Sequence, residues 1–181
     1  MKRIKTAIEE LAYTREEVAY HEAGHAVMAY FLGVRVLSAS IQPEEGISEG
    51  HVLFPGVPTW VENNDSPRAY RWLEYSVRVA MAGPVAYRIH TGTHSEHAAS
   101  SDSRQAVDLA YHACGSTRQV EAWLHWLHVV VEEYLSSPMR WKAVEAVAAA
   151  LLKHKRLSGR RLRKIIQESL TAQIKQNSPA P

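Results

Sequence analysis

Residues 14–33 read TREEVAYHEAGHAVMAYFLG, and they carry a helix signal and a chemical one together. Thr14 followed by Glu17 is a capping-box pattern, and Glu16 and Glu17 suit the positive end of a helix dipole. Val18, Ala26, Val27, Tyr30 and Phe31 recur at helical spacing, and Gly33 after Leu32 is a stop signal. The segment is expected to form one amphipathic helix with His21-Glu22-Ala23-Gly24-His25 at its middle. Residues four apart on a helix lie one above the other, so His21 and His25 can reach a single metal ion. Glu22, beside the first of them, can face the metal's open position and take a proton from bound water, whose pKa zinc lowers to roughly 7. A structural histidine pair is the competing explanation, and the rigid, well-capped helix around the motif favours the metal site.

Length and composition bound what surrounds that helix. At 181 residues and 46% hydrophobic, the chain can bury one sizeable core. It holds no unbroken apolar run of about eighteen residues, so no membrane span is expected. The start is basic, but Glu9 and Glu10 soon interrupt it, and no secretory signal is expected. Cys114 is the single cysteine, which excludes an intrachain disulfide and makes the cytoplasm the expected compartment. A net charge of +2 is too small to imply a nucleic-acid partner. The chain also lacks a Gly-rich phosphate loop ending in Lys-Ser/Thr, so no nucleotide site is expected.

The rest of the chain reads as mainly α with a small β-sheet. Val34 to Ile41 alternates like a strand, Pro43 to Gly50 is an acidic turn, and His51 to Phe54 is a short second strand ended by Pro55. After a loop to Pro67, a helix carries Tyr70, Leu73, Val77, Ala80 and Met81 on one face. Gly83-Pro84 is expected to punctuate it, with a second piece from Val85 to His90. Thr91 to Ser101 reads as a polar connection, followed by a helix from about Ser101 to Ala113. Val120, Trp123, Leu124, Leu127, Val131 and Tyr134 make one later stripe; Trp141, Val144, Val147, Ala148 and Leu151 make another. Ser158 is expected to cap a final short helix with Leu162, Ile165, Ile166 and Leu170 inward. The expected organisation is a lead-in over 1–13, one domain over 14–172 and a flexible tail over 173–181.

Two histidines do not complete a catalytic zinc site, which takes three protein ligands and leaves one position open. The extended pattern HExxHxxGxxH is excluded, because Met28 and Phe31 stand where its glycine and third histidine would be. Glu74 is a candidate from the next helix, but Arg78 sits four residues later, placed to pair with it. The remaining option is an aspartate or histidine between His90 and His112, a stretch that includes His94, His97 and Asp102.

The run from His21 to Ala26 is similar to the HEAGHA of the protease domain of the FtsH family of ATP-dependent zinc metalloproteases. Gly50 to Pro55 resembles that family's Gly-Tyr-Thr strand segment, and Met81 to Ala86 its Leu-Ala-Gly-Arg-Ala-Ala. Ala99-Ser100-Ser101-Asp102 is similar to the Ala-Ser-Asn-Asp opening the helix of its third ligand, and Leu157-Ser158-Gly159 to its closing Thr-Leu-Ser-Gly. The resemblance covers about residues 14 to 170 in matching order, which is far more specific than HExxH alone.

The resemblance implies a zincin-like helical protease domain. It implies a zinc ion held by His21, His25 and Asp102, with Glu22 as general base, and peptide-bond hydrolysis of unfolded or extended polypeptides. A carboxylate at a helix start would be favoured by the dipole and is an acceptable zinc ligand. Family members carry transmembrane and ATPase parts, neither of which is expected from this sequence, so a separate unfoldase partner is the way ATP dependence would enter. The sequence leaves the oligomeric state open. Lys153, Lys155, Arg156, Arg160, Arg161, Arg163 and Lys164 crowd a region that is commonly acidic in the family, and a solvated helix face is the first explanation. A zinc-containing binding module and a small-peptide amidohydrolase are the alternative functions.

Overall fold

The computed structural model of the chain describes residues 14–43, 50–56, 58, 61, 66–93 and 96–177, the side chains of 96–100 and 176–177 excepted. The expected lead-in over 1–13, most of the acidic turn and the last four tail residues lie outside them. The described chain is mainly helical, with one small antiparallel sheet. In chain order come α1 (Arg15–Phe31), β1 (Ser38–Ser40), β2 (His51–Leu53), α2 (Pro67–Thr91), α3 (Glu96–Tyr111), α4 (Thr117–Ser136), α5 (Pro138–His154), β3 (Arg156–Ser158) and α6 (Gly159–Asn177). Among the described residues, no helix is long and apolar enough to cross a membrane.

Helix α1 begins where its capping box predicts. The Glu17 amide donates to the Thr14 hydroxyl at 3.2 Å, and the Thr14 amide donates to the Glu17 carboxylate at 2.7 Å. Its interior differs from the amphipathic expectation. Residues 22 through 29 are buried without interruption, because α2 and α5 both pack against it and the sheet lies close by. Small residues make that enclosure possible. A side chain added at Gly24 would collide with the Ala82 carbonyl and come within 2.5 Å of the Ala86 methyl, so α1 and α2 cross almost backbone to backbone.

Helix α2 starts as read, with the Ser66 hydroxyl accepting from the Ala69 amide at 3.2 Å and Pro67 in the first turn. The expected break at Gly83-Pro84 does not occur. The helix runs through both residues and ends at Gly92, whose φ of 72° needs no Cβ penalty. Pro84 removes one helical hydrogen bond, to the Ala80 carbonyl. Tight packing on α1 holds the helix together across that gap, with Ala82, Gly83, Val85 and Ala86 all buried.

The sheet is smaller than its sequence signal in one place and larger in another. Only Ser38 to Ser40 of the expected strand enters the ladder; Val34 to Leu37 run irregularly after Gly33, itself at φ 71°. The strand order is β2-β1-β3, with Ala39 opposite Val52 on one side and Leu157 on the other. Strand β3 was not expected. It forms because Leu157 fills the core while Gly159 passes against Val36, where an added Cβ would strike the Val36 carbonyl. Ser158 then leads into α6, which is long rather than short and continues through Asn177. Gln173 is buried there, donating to the Met139 carbonyl at 3.1 Å.

The main core gathers Val27, Met28, Leu135, Val144, Val147, Leu151, Leu157 and Ile166 around α1. A second cluster of Val77, Ala80, Ala106 and Leu127 ties α2, α3 and α4 together. That second cluster sets the position of α3 over α1 and α2.

Candidate metal centre

The site is built where α3 passes the crossing of α1 and α2. His21 and His25 lie one turn apart on α1, with ring centroids 4.8 Å apart and planes at 76°. Their Nε2 atoms approach to 3.1 Å. Asp102 reaches the same point from α3: its Oδ2 lies 2.9 Å from His21 Nε2 and 3.2 Å from His25 Nε2. Asp102 stands one turn before Ala106, and the burial of Ala106 against Val77, Ala80 and Leu127 is what aims it.

Asp102 does not open its helix. Helix α3 begins at Glu96, so Asp102 sits in its second turn, away from the orphan amides that a helix start would offer. Glu96, Ala98 and Ala99 are good helix formers, and they extend the element back into the expected connection. Asp102 is therefore no capping residue, and its charge is matched by the histidines rather than by the dipole.

The second nitrogen of each ring matters as much. His25 Nδ1 donates to the Val79 carbonyl on α2 at 2.7 Å, which turns Nε2 toward Asp102. His21 Nδ1 is buried with no hydrogen-bond partner among the described residues. Glycine 83 supplies the floor. A Cβ there would collide with His25 Nε2 and lie 2.6 Å from His25 Cε1 and 2.7 Å from His21 Nε2. Gly50, at the head of β2, plays a similar part for Glu22: an added Cβ would lie 2.7 Å from Glu22 Cγ. Glu22 itself is buried on α1 between the two histidines in sequence.

Charge is divided unequally among the three groups. Burial pushes the His25 imidazole down, but Asp102, by charge and hydrogen bond, with Glu22 and the Val79 carbonyl, overcomes it and raises the pKa to about 9. For His21 burial wins and holds the pKa below its ordinary value. Burial alone would raise Asp102, yet the charge of His25 and hydrogen bonds from both histidines hold it well below the usual carboxylate range. Without a metal, one proton thus sits on His25, shared toward an ionised Asp102 and a neutral His21.

The donor set fits a small tetrahedral cation. Bonds of 2.0–2.1 Å at tetrahedral angles place ligand atoms about 3.3 Å apart. The three observed separations of 2.9, 3.1 and 3.2 Å need to open by only a few tenths of an ångström. His21, His25 and Asp102 are the grouping of metal-ligating side chains that stands out among the described residues.

Of the rival third ligands, the two with described side chains lie elsewhere. Glu74 pairs with Arg78 at 3.4 Å. His112 lies exposed just past the end of α3. His94 falls outside the described residues, and of His97 only its backbone place in α3 is described. Sequence reasoning missed the Val79 carbonyl and the floor at Gly83. A Gly-Pro pair inside the apolar stretch from Val79 to Ala86 was the available signal, which reads locally as a break instead of a close approach. In comparisons with known proteins, no family model matches this chain and no curated protein matches it either.

Proposed function

We propose that this chain is a zinc-dependent metalloendopeptidase that hydrolyses peptide bonds of unfolded or extended polypeptides. The observation that carries the reading is the convergence of His21 Nε2, His25 Nε2 and Asp102 Oδ2 within 3.2 Å of one another, beside the buried carboxylate of Glu22. Zinc bound there would supply a Lewis acid for the scissile carbonyl and lower the pKa of a water molecule. The chain's own part is positioning and proton transfer. Glu22 takes the proton of the attacking water and delivers it to the leaving amine, a role suited to a carboxylate beside a metal ligand on a rigid helix. The Val79 carbonyl keeps His25 in register, and Asp102 balances the cation's charge.

The extended-substrate part of the reading rests on the sheet. Among the described residues β2 is an edge strand paired with β1, and an extended substrate would bind by adding a strand beside it. Gly50 brings the head of that strand against Glu22. A polypeptide laid along β2 would therefore run past the proposed base, bound by backbone hydrogen bonds that do not read sequence.

The test is hydrolysis of an unstructured protein by the purified chain without ATP, with chelator, with zinc restored, and beside Glu22→Gln. Cleavage that chelator abolishes, zinc restores and the variant lacks is expected, with Glu22→Gln still binding zinc. Full activity of Glu22→Gln would reject Glu22 as the base. Zinc binding with no cleavage of any extended substrate would replace the protease reading with a binding role.

A further inference from the structure

Helix α4 has two faces, and the core uses one. Val120, Leu127, Val131 and Leu135 are buried, with Trp123 and Leu124 packed beside them. On the opposite side Arg118, Ala122, Trp126, Val129 and Glu133 are all exposed, Trp126 at 53% and Val129 at 40%. At 100° per residue these five fall within an arc of about 80°, so they form one stripe about 22 Å long. An exposed tryptophan beside an exposed valine on a regular helix is an unpartnered apolar seam.

The order of residues along the stripe identifies what covers it. Arg118 and Glu133 lie equally far from a point midway between His125 and Trp126, one on each side. Ala122 and Val129 are also equidistant from that point. Turn a second copy of the helix antiparallel about it, and each Arg118 meets a Glu133, each small Ala122 faces a larger Val129, and the Trp126 rings meet at the centre. A stripe that complements its own reverse is the property an isologous two-fold interface requires. Neither Arg118 nor Glu133 is engaged in an ion pair within the chain among the described residues, so both charges are available.

We infer that α4 is a homodimerisation surface, joining two copies through an antiparallel α4 pair centred on Trp126. One helix pair buries less than the roughly 800 Å² per partner of a standard stable interface. The dimer is therefore weak, with a dissociation constant on the order of 10–100 μM. The inference is independent of the metal site, and its test reads no hydrolysis.

Sedimentation velocity of the full chain over about 5 to 500 μM is expected to show a monomer–dimer equilibrium. Trp126→Ala should raise the dissociation constant at least about tenfold while circular dichroism and melting stay unchanged, since the side chain is on the surface. The decisive measurement is a charge exchange. Arg118→Glu and Glu133→Arg each place like charges at both symmetric contacts, and each should weaken the dimer about tenfold. Mixed in equal amounts, the two variants restore both attractive pairs and should dimerise again. A chain that stays monomeric throughout the range would overturn the proposal. So would an assembly indifferent to Trp126→Ala, or a mixture of the reversed variants no tighter than either alone.

Discussion

Replacing Gly83 by alanine adds one methyl group to the least forgiving point of the site. The new Cβ would lie 2.6 Å from His25 Cε1 and 2.7 Å from His21 Nε2, and in hard contact with His25 Nε2. Comfortable carbon contacts are about 3.5–4.0 Å, so both rings must retreat by about an ångström. A metal site tolerates ligand displacements of about 0.2 Å, a fifth of that movement. The zinc dissociation constant is therefore expected to rise at least about 100-fold. The fold should suffer much less. Alanine in place of glycine within a helix contributes about 0.5–1 kcal/mol, against an overpacking cost of about 1–3 kcal/mol. At about 2–4 °C per kcal/mol, the metal-free variant should melt only a few degrees lower. Competition with a chromophoric chelator gives the affinity, and a metal-free melt gives the stability. Gly56→Ala is the control, since an added Cβ there meets nothing within 4 Å. A folded Gly83→Ala variant that binds zinc within about threefold of the unmodified chain would refute the close-floor argument and the ligand assignment built on it.

Asp102→Asn keeps the side chain's shape but replaces an anionic oxygen with a neutral one, and zinc affinity should fall about 100-fold without loss of fold. Wild-type affinity in that variant, measured by the same competition, would remove Asp102 from the ligand set. Chelation should lower the melting temperature: at free zinc about 100 times the dissociation constant the bound metal contributes about 2.7 kcal/mol, or some 5–10 °C. Identical melts with and without zinc would contradict a site in the folded chain. Metal binding should also expel a proton. His25 needs its Nε2 lone pair for a cation, and in the metal-free chain its pKa is raised to about 9. Below that pH the proton must leave, so affinity should climb about tenfold per pH unit toward pH 9 and then level, while His21, held neutral, releases none. Calorimetry at about pH 6.5 in buffers of different ionisation heat should report one proton, and a count of zero would show that Asp102 does not hold His25 charged.

The features legible in the sequence are those that depend on near neighbours. The capping box at Thr14 and Glu17, the stop at Gly33 and the shared face of His21 and His25 are each set within a few residues, and the structure places them as expected. Asp102 depends on how α3 lies across α1 and α2, and from the residues alone an aspartate or histidine anywhere between His90 and His112 remained open. Strand β3 is hidden for a related reason. Arg156-Leu157-Ser158 alternates polar and apolar but is too short to be read as a strand, and only pairing with β1 makes it one.

The position of the site comes from places where a side chain is missing. Gly24 lets α2 settle onto α1, Gly83 lets the two imidazoles lie against the α2 backbone, and Gly50 lets β2 close over Glu22. Each is a glycine in the described structure at an ordinary backbone angle, so none is required by local conformation, and local reading treats a glycine inside a helix as a weakness. At Gly83-Pro84 that reading predicted a break, whereas tertiary packing more than offsets a lost hydrogen bond and keeps the helix whole. The same packing leaves the Val79 carbonyl within 2.7 Å of His25 Nδ1. A broken helix at Gly83 would free both rings and dissolve the three-atom convergence, which is why this close contact and the proposed chemistry coincide.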